Sequence, residues 1–348
     1  PYVDIESFDG GRYLGPLRAA AKAEGYDEGR VTGRLDVDTI NSVVKAANEG
    51  AAEADKIPEI DPGAHGPLDY GFSHRYMGKT SLYTSIGSRS FVVTDVYRYW
   101  TRMRYESTGG ASEVMMGKDQ RSWFLDRIGS STSTWKVWGN EFLLMPLIAD
   151  LRAIPSLPDA FRNRFQLLVD DWSGMPNRRD EIIDAIADVE NLVVISGDVH
   201  SFFAGLPKMI TDPTRGVVEL ATGAVSAGSL KSMLMRIAAN DPVLLAAGAV
   251  ALAAGAESFL LDRTTGPNPH MAAAHLDDHG ISVAEVGSDS MDVWFHRIPS
   301  GRAEFRIDEP TALDEAFSVD HYRVPAGKKE LHKEIEGSFK KWDSETME

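Results

Sequence analysis

Runs and alternations of apolar residues predict the strands of this chain. Residues 192–195 are four consecutive apolar residues, three of them β-branched, a pattern typical of a strand buried on both faces. Apolar and polar residues alternate near the carboxyl terminus, as they do in antiparallel strands. Further apolar runs complete the set. The predicted strands therefore lie at 91–97, 135–138, 192–195, 216–222, 280–286, 291–298 and 303–307.

Helical periodicity and composition fill the segments between these strands. An acidic residue, Asp36 or Asp38, stands where an N-cap is expected before the helix at 37–54. The predicted helices lie at 17–24, 37–54, 118–128, 178–189, 223–262 and 328–341. Helices interleaved with buried strands and followed by an antiparallel run predict a layered α/β protein.

Composition shifts divide the chain into three parts. Residues 1–69 are predicted to be a peripheral helical segment and a linker, because they are poor in strand formers and end in a Pro- and Gly-rich stretch. Residues 70–310 form the main α/β region, with 223–262 as a helical insertion. Residues 311–348 are predicted to be a charged carboxy-terminal tail.

The charge and the residue types narrow the class of protein. A net charge of −16 disfavours nucleic acid and anionic membranes as partners. An anionic substrate would need a local positive centre, and a metal ion can supply one. The chain has no Cys, so it forms no disulfide and has no Cys nucleophile. The apolar stretch at 243–256 is too short to span a bilayer.

The strongest chemical signal follows the buried strand at 192–195. Gly197 allows a sharp exit, and Asp198 and His200 follow it two residues apart. On an extended chain these side chains point the same way, at the strand end where α/β sheets bind ligands. A carboxylate beside an imidazole is half of a metal site or an acid/base pair. The alternative is a polar strand cap with a structural histidine.

Two further segments carry candidate chemistry. Asp170 and Asp171 end an apolar run and precede a turn, where one acid can be a ligand or both can simply start a helix. Pro267 and Pro269 fix the backbone around Asn268 and His270, which suits either a loop that holds polar side chains rigidly or a merely stiff one. A possible metal cluster of His and Asp residues follows, for which a solvated loop is the other interpretation; its members are His275, Asp277, Asp278 and His279.

Several familiar signatures are missing from the chain. It has no Walker A loop, no dinucleotide Gly fingerprint after a strand, no Gly-x-Ser-x-Gly elbow and no His-Glu-x-x-His. These absences count against an unrelated α/β hydrolase that uses a serine nucleophile.

An ordered set of motifs resembles the PhoD-like alkaline phosphatases of the metallophosphoesterase superfamily. The resemblance covers about residues 70–310, and Ser173 and Met175 depart from the family turn in which they lie. The matching pieces are Ser90 to Arg98, Met116 to Leu125, Thr134 to Asn140, Asp170 to Pro176, Gly197 to Ser201, and Asn268 to His270.

The resemblance implies an α/β/β/α sandwich that hydrolyses phosphate monoesters or diesters. Asp198 and His200 would be the catalytic and metal-ligating residues, Asp170 another ligand, and Asn268 and His270 substrate-binding residues. Family members use calcium and iron, with manganese, magnesium or zinc as further candidates. The resemblance also implies a periplasmic or secreted location.

One departure from the family concerns whether this chain contains the whole sandwich and all of its metal ligands. The family's amino-terminal half supplies metal ligands that are not recognisable here, and the chain opens on Pro1 without an initiator Met. We therefore expect an incomplete sandwich in this chain and a second polypeptide, from a cleaved precursor, that carries the other half. The alternative is a non-catalytic scaffold or binding subunit that keeps the phosphoesterase fold.

Overall fold

The computed structural model describes most of the chain. Parts of the predicted linker, of the start of the main region, of the insertion and of the tail lie outside the described residues, as do Ser90 and Phe91 of the first motif. The described ranges are 2–25, 27–65, 92–157, 162–240, 245–246, 248–261 and 266–342. The chain divides into two compact units, Pro1–Val92 and Val93–Glu348.

The first unit packs two helices with a short antiparallel ladder. Strands β1 (Tyr2–Asp4) and β2 (Arg34–Asp36) pair, so this part is not purely helical as predicted. Helices α1 (Leu14–Ala23) and α2 (Val37–Asn48) occupy the predicted positions. Asp36 caps α2 by accepting a hydrogen bond from the Thr39 amide at 3.0 Å, as its position before the helix predicts.

The second unit is built on a mixed five-stranded sheet, here the first sheet. Its strand order is β10-β8-β9-β7-β4, with β4, β7 and β9 parallel and the other pairs antiparallel. The predicted buried strand at 192–195 is an interior strand of this sheet, between β9 and β4. The strands are β4 (Lys136–Gly139), β7 (Leu192–Ser196), β8 (Phe202–Gly205), β9 (Val218–Ala221) and β10 (Met271–His275).

A second five-stranded sheet is antiparallel throughout and follows the chain order β11 to β15. Its strands are β11 (Asp278–Val286), β12 (Ser290–Pro299), β13 (Ser318–Pro325), β14 (His332–Ile335) and β15 (Ser338–Lys341). Two smaller strands, β5 (Ile148–Asp150) and β6 (Arg164–Gln166), pair separately.

Alternating residues of the first sheet serve two cores. Val193 lies in the core between the two sheets, where the rings of Phe202 and Phe295 are 5.2 Å apart. Val194 faces the opposite core, which it shares with Ile182 of α5 (Pro176–Ile186). Helix α4 (Lys118–Ser130) packs on the same side. The described layers are therefore α/β/β, which confirms the prediction of an α/β sandwich; incompleteness of the sandwich stays a prediction.

Three local predictions are wrong. The strand predicted at 91–97 is a two-residue strand, β3 (Val92–Val93), followed by helix α3 (Thr94–Ser107). The strand predicted at 303–307 is instead the end of a short helix, α9 (Ser300–Ala303), and a loop. The helix predicted at 328–341 is the hairpin of β14 and β15. Part of the predicted charged tail thus completes the second sheet, and Tyr322, Val324 and Leu331 lie in the core between the two sheets.

The insertion at 223–262 is helical where it is described. It contains α6 (Leu230–Asn240), α7 (Ala249–Ala254) and α8 (Ala256–Leu260), and α10 (Pro310–Ala316) lies later in the chain. Leu234 and Leu260 are buried, so the insertion packs through a few large apolar side chains. Among the helices of the described ranges, none combines the length and the apolar character needed to cross a bilayer.

Candidate active site

The candidate site is the loop that leaves the carboxyl end of β7. Neighbouring backbone holds its start, because Asn140 donates its amide to the Ile195 carbonyl at 2.9 Å and Gly197 donates to the Glu141 carbonyl at 3.1 Å. The loop therefore begins beside the end of β4. Two parallel strands end here at the same edge of the first sheet, which is where an α/β sheet offers side chains to a ligand.

Asp198 and His200 both adopt the left-handed backbone conformation, with φ of 60° and 55°. The segment is thus a turn and not the extended chain on which their common direction was predicted. Val199 between them is buried and anchors the turn in the core. Left-handed backbone is unfavourable for residues other than glycine, and it is concentrated at functional sites. The turn holds both side chains partly accessible above the sheet.

One backbone carbonyl fixes the ring of His200. Its Nδ1 lies 2.7 Å from the Gly228 carbonyl oxygen, which can only accept a hydrogen bond, so Nδ1 carries the proton. In the neutral ring the other nitrogen, Nε2, is then the one without a proton. Metal-binding histidines are commonly oriented in this way by a carbonyl on the far nitrogen. Gly228 belongs to the insertion, which therefore reaches the candidate site.

The turn at 170–174 is tied to the same sheet edge. Trp172 is buried and donates its Nε1–H to Oδ1 of Asn140 at 3.1 Å. Tyr97 of α3 donates its hydroxyl to the Gly174 carbonyl at 2.8 Å. Gly174 is required here, because a Cβ at this position would lie 1.7 Å from the Val169 carbonyl oxygen. The two predicted segments, 170–176 and 197–201, are thus both anchored through Asn140 at the carboxyl ends of β4 and β7.

The two adjacent acids of this turn differ in environment. Asp171 is buried and accepts a hydrogen bond from the Ser173 amide at 2.7 Å. Burial raises the pKa of Asp171 to about 7. Asp170 is half-buried and is the more accessible of the pair. The structure gives Asp171 a capping contact within its own turn, and the assignment of Asp170 as a ligand stays a prediction.

A buried carboxylate, Glu219 of β9, supports the site from below. It accepts the backbone amides of Leu144 and Met145 at 2.8 and 2.9 Å, and the hydroxyl of Ser196 at the end of β7. Burial is the largest cause that raises the pKa of Glu219, to about 7, although its hydrogen bonds lower it. Glu219 therefore links the end of β7 to the loop that follows β4.

Arg179 of α5 is a second buried charge beneath the site. Its Nε–H donates to the Leu144 carbonyl at 2.6 Å, and Nη1 donates to the Lys208 carbonyl at 2.9 Å. Its neighbour Asp180 lies 3.3 Å away and accepts the amides of Ile210 and Thr211. Burial lowers the pKa of Arg179, yet guanidinium stays charged at physiological pH. The two residues fix three loops around the first sheet.

Asn268 and His270 contact backbone. Asn268 accepts the Ile148 amide at 3.0 Å and donates to the Ile148 carbonyl at 2.7 Å, so it mimics a strand partner for β5. The Nε2 of His270 lies 2.9 Å from the Pro146 carbonyl, and burial lowers the pKa of His270 to about 3. Both side chains are buried. Their described contacts are structural, and their predicted role in substrate binding is untested.

The second possible metal cluster is dispersed in the structure. His275 contacts Asp320 at 3.1 Å, and Asp278 contacts Arg297. Asp277 accepts the hydroxyls of two serines, and Nδ1 of His279 lies 3.2 Å from the Ala224 carbonyl. The four side chains therefore have four separate sets of partners, in agreement with a structural role.

The resemblance implies a bound metal ion, and the side chains of the described residues show how far they could hold it. In the part of the chain that the structure describes, no three or more His, Cys, Asp or Glu side chains are grouped to hold a metal ion. Asp170, Asp198 and His200 therefore do not form a complete metal site by themselves. The tautomer of His200 suits a metal ligand. The residues present therefore fit the implied metal only in part, because individual donors are suitable but the set of ligands is incomplete.

Sequence reasoning missed the supporting charges Glu219 and Arg179. A signal for Glu219 is visible, because it interrupts the apolar run from Val217 to Ala221 that forms a buried strand. Arg179 lies on the face of α5 that also carries Ile182 and Ile186, where an apolar residue is expected. A charged residue at an apolar position indicates a buried polar network.

Comparisons with known proteins identify a family and two relatives. The family model described as PhoD-like phosphatase matches residues 83–295, which include every candidate site residue. A curated relative, alkaline phosphatase D of Bacillus subtilis (strain 168), is 22% identical over 142 residues, which are 40% of this chain and 23% of the relative. A solved structure titled "Structure of PhoD" aligns with a TM-score of 0.41 and 18% identity over 64% of this chain.

The aligned part is a minor share of both relatives. This chain covers 23% of the curated relative and 36% of the chain in the solved structure. The family assignment rests on the family model, whose match spans more than half of this chain.

Proposed function

Because this chain belongs to the PhoD-like phosphatase family, we propose that it hydrolyses phosphate esters at the edge of the first sheet formed by the ends of β4 and β7. The family match supports the reaction class. The substrate, and the preference for monoesters or diesters, are not specified by any described side chain.

The proposal assigns metal-ligand roles to Asp198 and His200, with Asp170 as a third ligand. The single observation that carries it is the His200–Gly228 hydrogen bond, which in the neutral ring leaves Nε2 as the nitrogen available to a metal ion, at a strand end with left-handed backbone inside the matched family region. A metal bound there would supply Lewis-acid stabilisation of the phosphoryl oxygens and a water of lowered pKa. Calcium and iron are the first candidates.

Further ligands must come from outside this trio. A hard cation takes about six or more oxygen or nitrogen donors in all, and three protein side chains leave several positions open. The proposal therefore includes ligands supplied by a second polypeptide, with waters and the substrate phosphate in the remaining positions. The chain has a net charge of −16 and therefore repels an anionic ester. The positive charge of a bound metal ion would also serve to attract the substrate.

The buried groups around the site have positioning roles in this proposal. Glu219 and Arg179 hold the backbone between β4 and β5, and Asn140 joins the turn of Asp170 to the end of β7. A ligand turn that is supported by buried hydrogen bonds keeps its geometry without the metal. These residues touch neither substrate nor metal in the proposal.

The test is hydrolysis of p-nitrophenyl phosphate and bis(p-nitrophenyl) phosphate by the protein as purified, with any chain that accompanies it. Chelation should abolish turnover, and re-addition of calcium, iron, manganese, magnesium or zinc, one at a time, should identify the metal. Turnover that is insensitive to chelation would contradict metal dependence while leaving the reaction class intact.

A second candidate is a non-catalytic scaffold or binding subunit with the same fold. The observation that favours it is the incomplete ligand group among the described residues. It predicts metal binding weaker than about millimolar, because three scattered donors leave most of the coordination to water. Isothermal titration with each metal alone separates it from the leading proposal.

A further inference from the structure

The carbonyl that orients the ring of His200 belongs to the peptide that leads into α6. The oxygen of Gly228 lies 2.7 Å from Nδ1 of His200, and this carbonyl shares a rigid peptide plane with the amide of Ser229. The hydrogen bonds of α6 include one from the Met233 amide to the Ser229 carbonyl at 3.0 Å. The position of Ser229 therefore determines where the Gly228 carbonyl points.

Ser229 is buried, and its hydroxyl oxygen has a partner on each side. It accepts the amide of Ser232 at 3.2 Å, as the N-cap residue of a helix does. It also donates its proton to Oδ1 of Asp277 at 2.9 Å. A serine hydroxyl has a single proton, so the contact with Asp277 uses the only donor of this side chain.

Asp277 is in turn fixed from the other side by Ser300, at the start of α9. The amide of Ser300 donates to the Asp277 carbonyl at 2.9 Å, and its hydroxyl donates to Oδ1 of Asp277 at 2.9 Å. One carboxylate oxygen thus receives two serine hydroxyls. Asp277 therefore joins the beginning of the insertion to the region that follows β12.

The residue before Asp277 holds the turn that carries His200. The carbonyl of Leu276, which is buried, accepts the hydroxyl of Ser201 at 3.3 Å and the amide of Lys231 at 3.1 Å. Ser201 directly follows His200, and Lys231 lies in the first turn of α6. Both ends of the hydrogen bond that orients the ring are therefore tied to residues 276–277.

We propose that Asp277 is a positioning residue for His200. Through Ser229 it fixes the carbonyl of Gly228, which keeps the proton of the neutral ring on Nδ1 and leaves Nε2 available to a metal ion. This inference rests on the proposed function, in which His200 is a metal ligand. Asp277 itself touches neither metal nor substrate in the proposal.

A purely structural role for Asp277 makes a different prediction. In that case its contacts serve only to join α6 and α9, and the state of the His200 ring is independent of them. Ser229 and Ser300 separate the two roles, because each donates to the same oxygen of Asp277 at 2.9 Å. Ser229 shares a peptide plane with Gly228, whereas Ser300 lies 72 residues further along the chain.

The experiment measures the tautomer of the His200 ring by ¹⁵N–¹H correlation NMR of the full chain, labelled at histidine and free of metal. At about pH 8.5 an ordinary imidazole is neutral. His200→Ala identifies the signal. We expect mainly the Nδ1–H ring in the unmodified chain. In Asp277→Ala the ratio of Nδ1–H to Nε2–H should fall by about fivefold or more, the effect of losing one hydrogen bond.

Three further variants test the route from Asp277 to the ring. Ser229→Ala should change the tautomer ratio in the same direction as Asp277→Ala. Asp277→Asn should retain the ratio of the unmodified chain, because its amide oxygen can still accept both hydroxyls. Ser300→Ala is the matched control and should also retain it. Affinity for Mn²⁺ alone, from calorimetric titration, should fall by about tenfold in Asp277→Ala and stay unchanged in Ser300→Ala.

Two outcomes overturn the proposal. One is an unchanged tautomer ratio in Asp277→Ala, and the other is an equal change in Ser229→Ala and Ser300→Ala. If circular dichroism shows that Asp277→Ala does not fold, the two serine variants decide the question. Absence of Mn²⁺ binding or of turnover, together with the expected change of tautomer, would contradict the proposed reaction and still support positioning by Asp277.

Discussion

Nδ1 of His200 lies 2.7 Å from the carbonyl oxygen of Gly228, which joins the end of β7 to the start of the helical insertion. This contact selects the tautomer of the neutral ring before any ligand arrives. It also explains how an insertion without catalytic motifs can affect the site. The first prediction follows from it.

His200→Ala should lower phosphoester turnover by at least about 100-fold, the upper end of the cost of losing a partner around a metal ligand. The fold should survive, because one hydrogen bond contributes about 1 kcal/mol to stability. His279→Ala is the matched control, since Nδ1 of His279 also contacts a backbone carbonyl, that of Ala224, at 3.2 Å. Equal losses of turnover in both variants would contradict the proposed role of His200 as a metal ligand.

Substitutions of Asp170 and Asp171 should have different effects, because Asp170 is proposed to bind metal and Asp171 to cap its own turn. Asp170→Asn is expected to lower metal content, measured by mass spectrometry of the purified protein, and turnover with it. Asp171→Asn should leave turnover within about threefold and keep the fold, because the amide oxygen can still accept the Ser173 amide and no buried charge remains. The reverse pattern would make Asp171 the ligand.

Titration of Glu219 should make the stability of the folded protein depend on pH. Its pKa is raised to about 7 in the folded protein from an ordinary 4.5, so the folded state binds the proton more tightly. Its contribution is therefore fully present below about pH 4.5 and is lost as the pH rises to about 7. Glu219→Gln cannot titrate, so its Tm should fall less between pH 5 and 8 than that of the unmodified chain.

Scanning calorimetry at both pH values provides the measurement for Glu219, since each kcal/mol corresponds to about 1–2 °C in a chain of 348 residues. Asp171 also has a raised pKa and leaves a residual slope in the variant. Glu285→Gln serves as control, because Glu285 is exposed on β11. An identical slope in Glu219→Gln and the unmodified chain would show that Glu219 does not titrate in this range.

Asn268 should be structural. Asn268→Ala leaves the Ile148 amide and carbonyl without their side-chain partner in a buried position, at a cost of about 2–3 kcal/mol. We expect a lower Tm with an unchanged KM for p-nitrophenyl phosphate. An unchanged Tm together with a raised KM would restore the substrate-binding role that the sequence predicts.

Local patterns predicted three of the five strands of the first sheet, β4, β7 and β9, whereas β8 and β10 were not predicted. Consecutive apolar residues at 192–195 indicate a strand that is buried on both faces, and β7 is an interior strand of that sheet. The N-cap at Asp36 and the helices α1, α2, α4 and α5 were predictable for the same reason: their signals are local.

Other elements depend on contacts that the sequence does not display. Val92 and Val93 suggest a longer strand, yet helix α3 begins at Thr94, and Tyr97 of its first turns packs against the 170–174 turn. The charges of 328–341 suggest a helix. Glu336 and Gly337, with φ of 51° and 76°, instead form a two-residue hairpin turn, a signal that charge periodicity obscured.

The candidate residues follow from the sequence, and their assignment as a site stays a prediction, whereas their geometry could not be predicted. The Asp198–His200 spacing was interpreted on an extended chain, whereas both residues lie in a left-handed turn. That conformation depends on the burial of Val199 and on the carbonyl of Gly228, 28 residues away in the chain. Long-range contacts of this kind leave no periodic trace in the sequence.

The central claim is hydrolysis of phosphate esters at the Asp198–His200 turn. The most direct measurement compares turnover of p-nitrophenyl phosphate and bis(p-nitrophenyl) phosphate by the purified protein and its Asp198→Asn variant, each with any accompanying chain, before and after chelation. We predict metal-dependent turnover of at least one ester that falls by at least about 100-fold in Asp198→Asn, with an unchanged circular dichroism spectrum. Turnover that survives both Asp198→Asn and chelation would contradict the account.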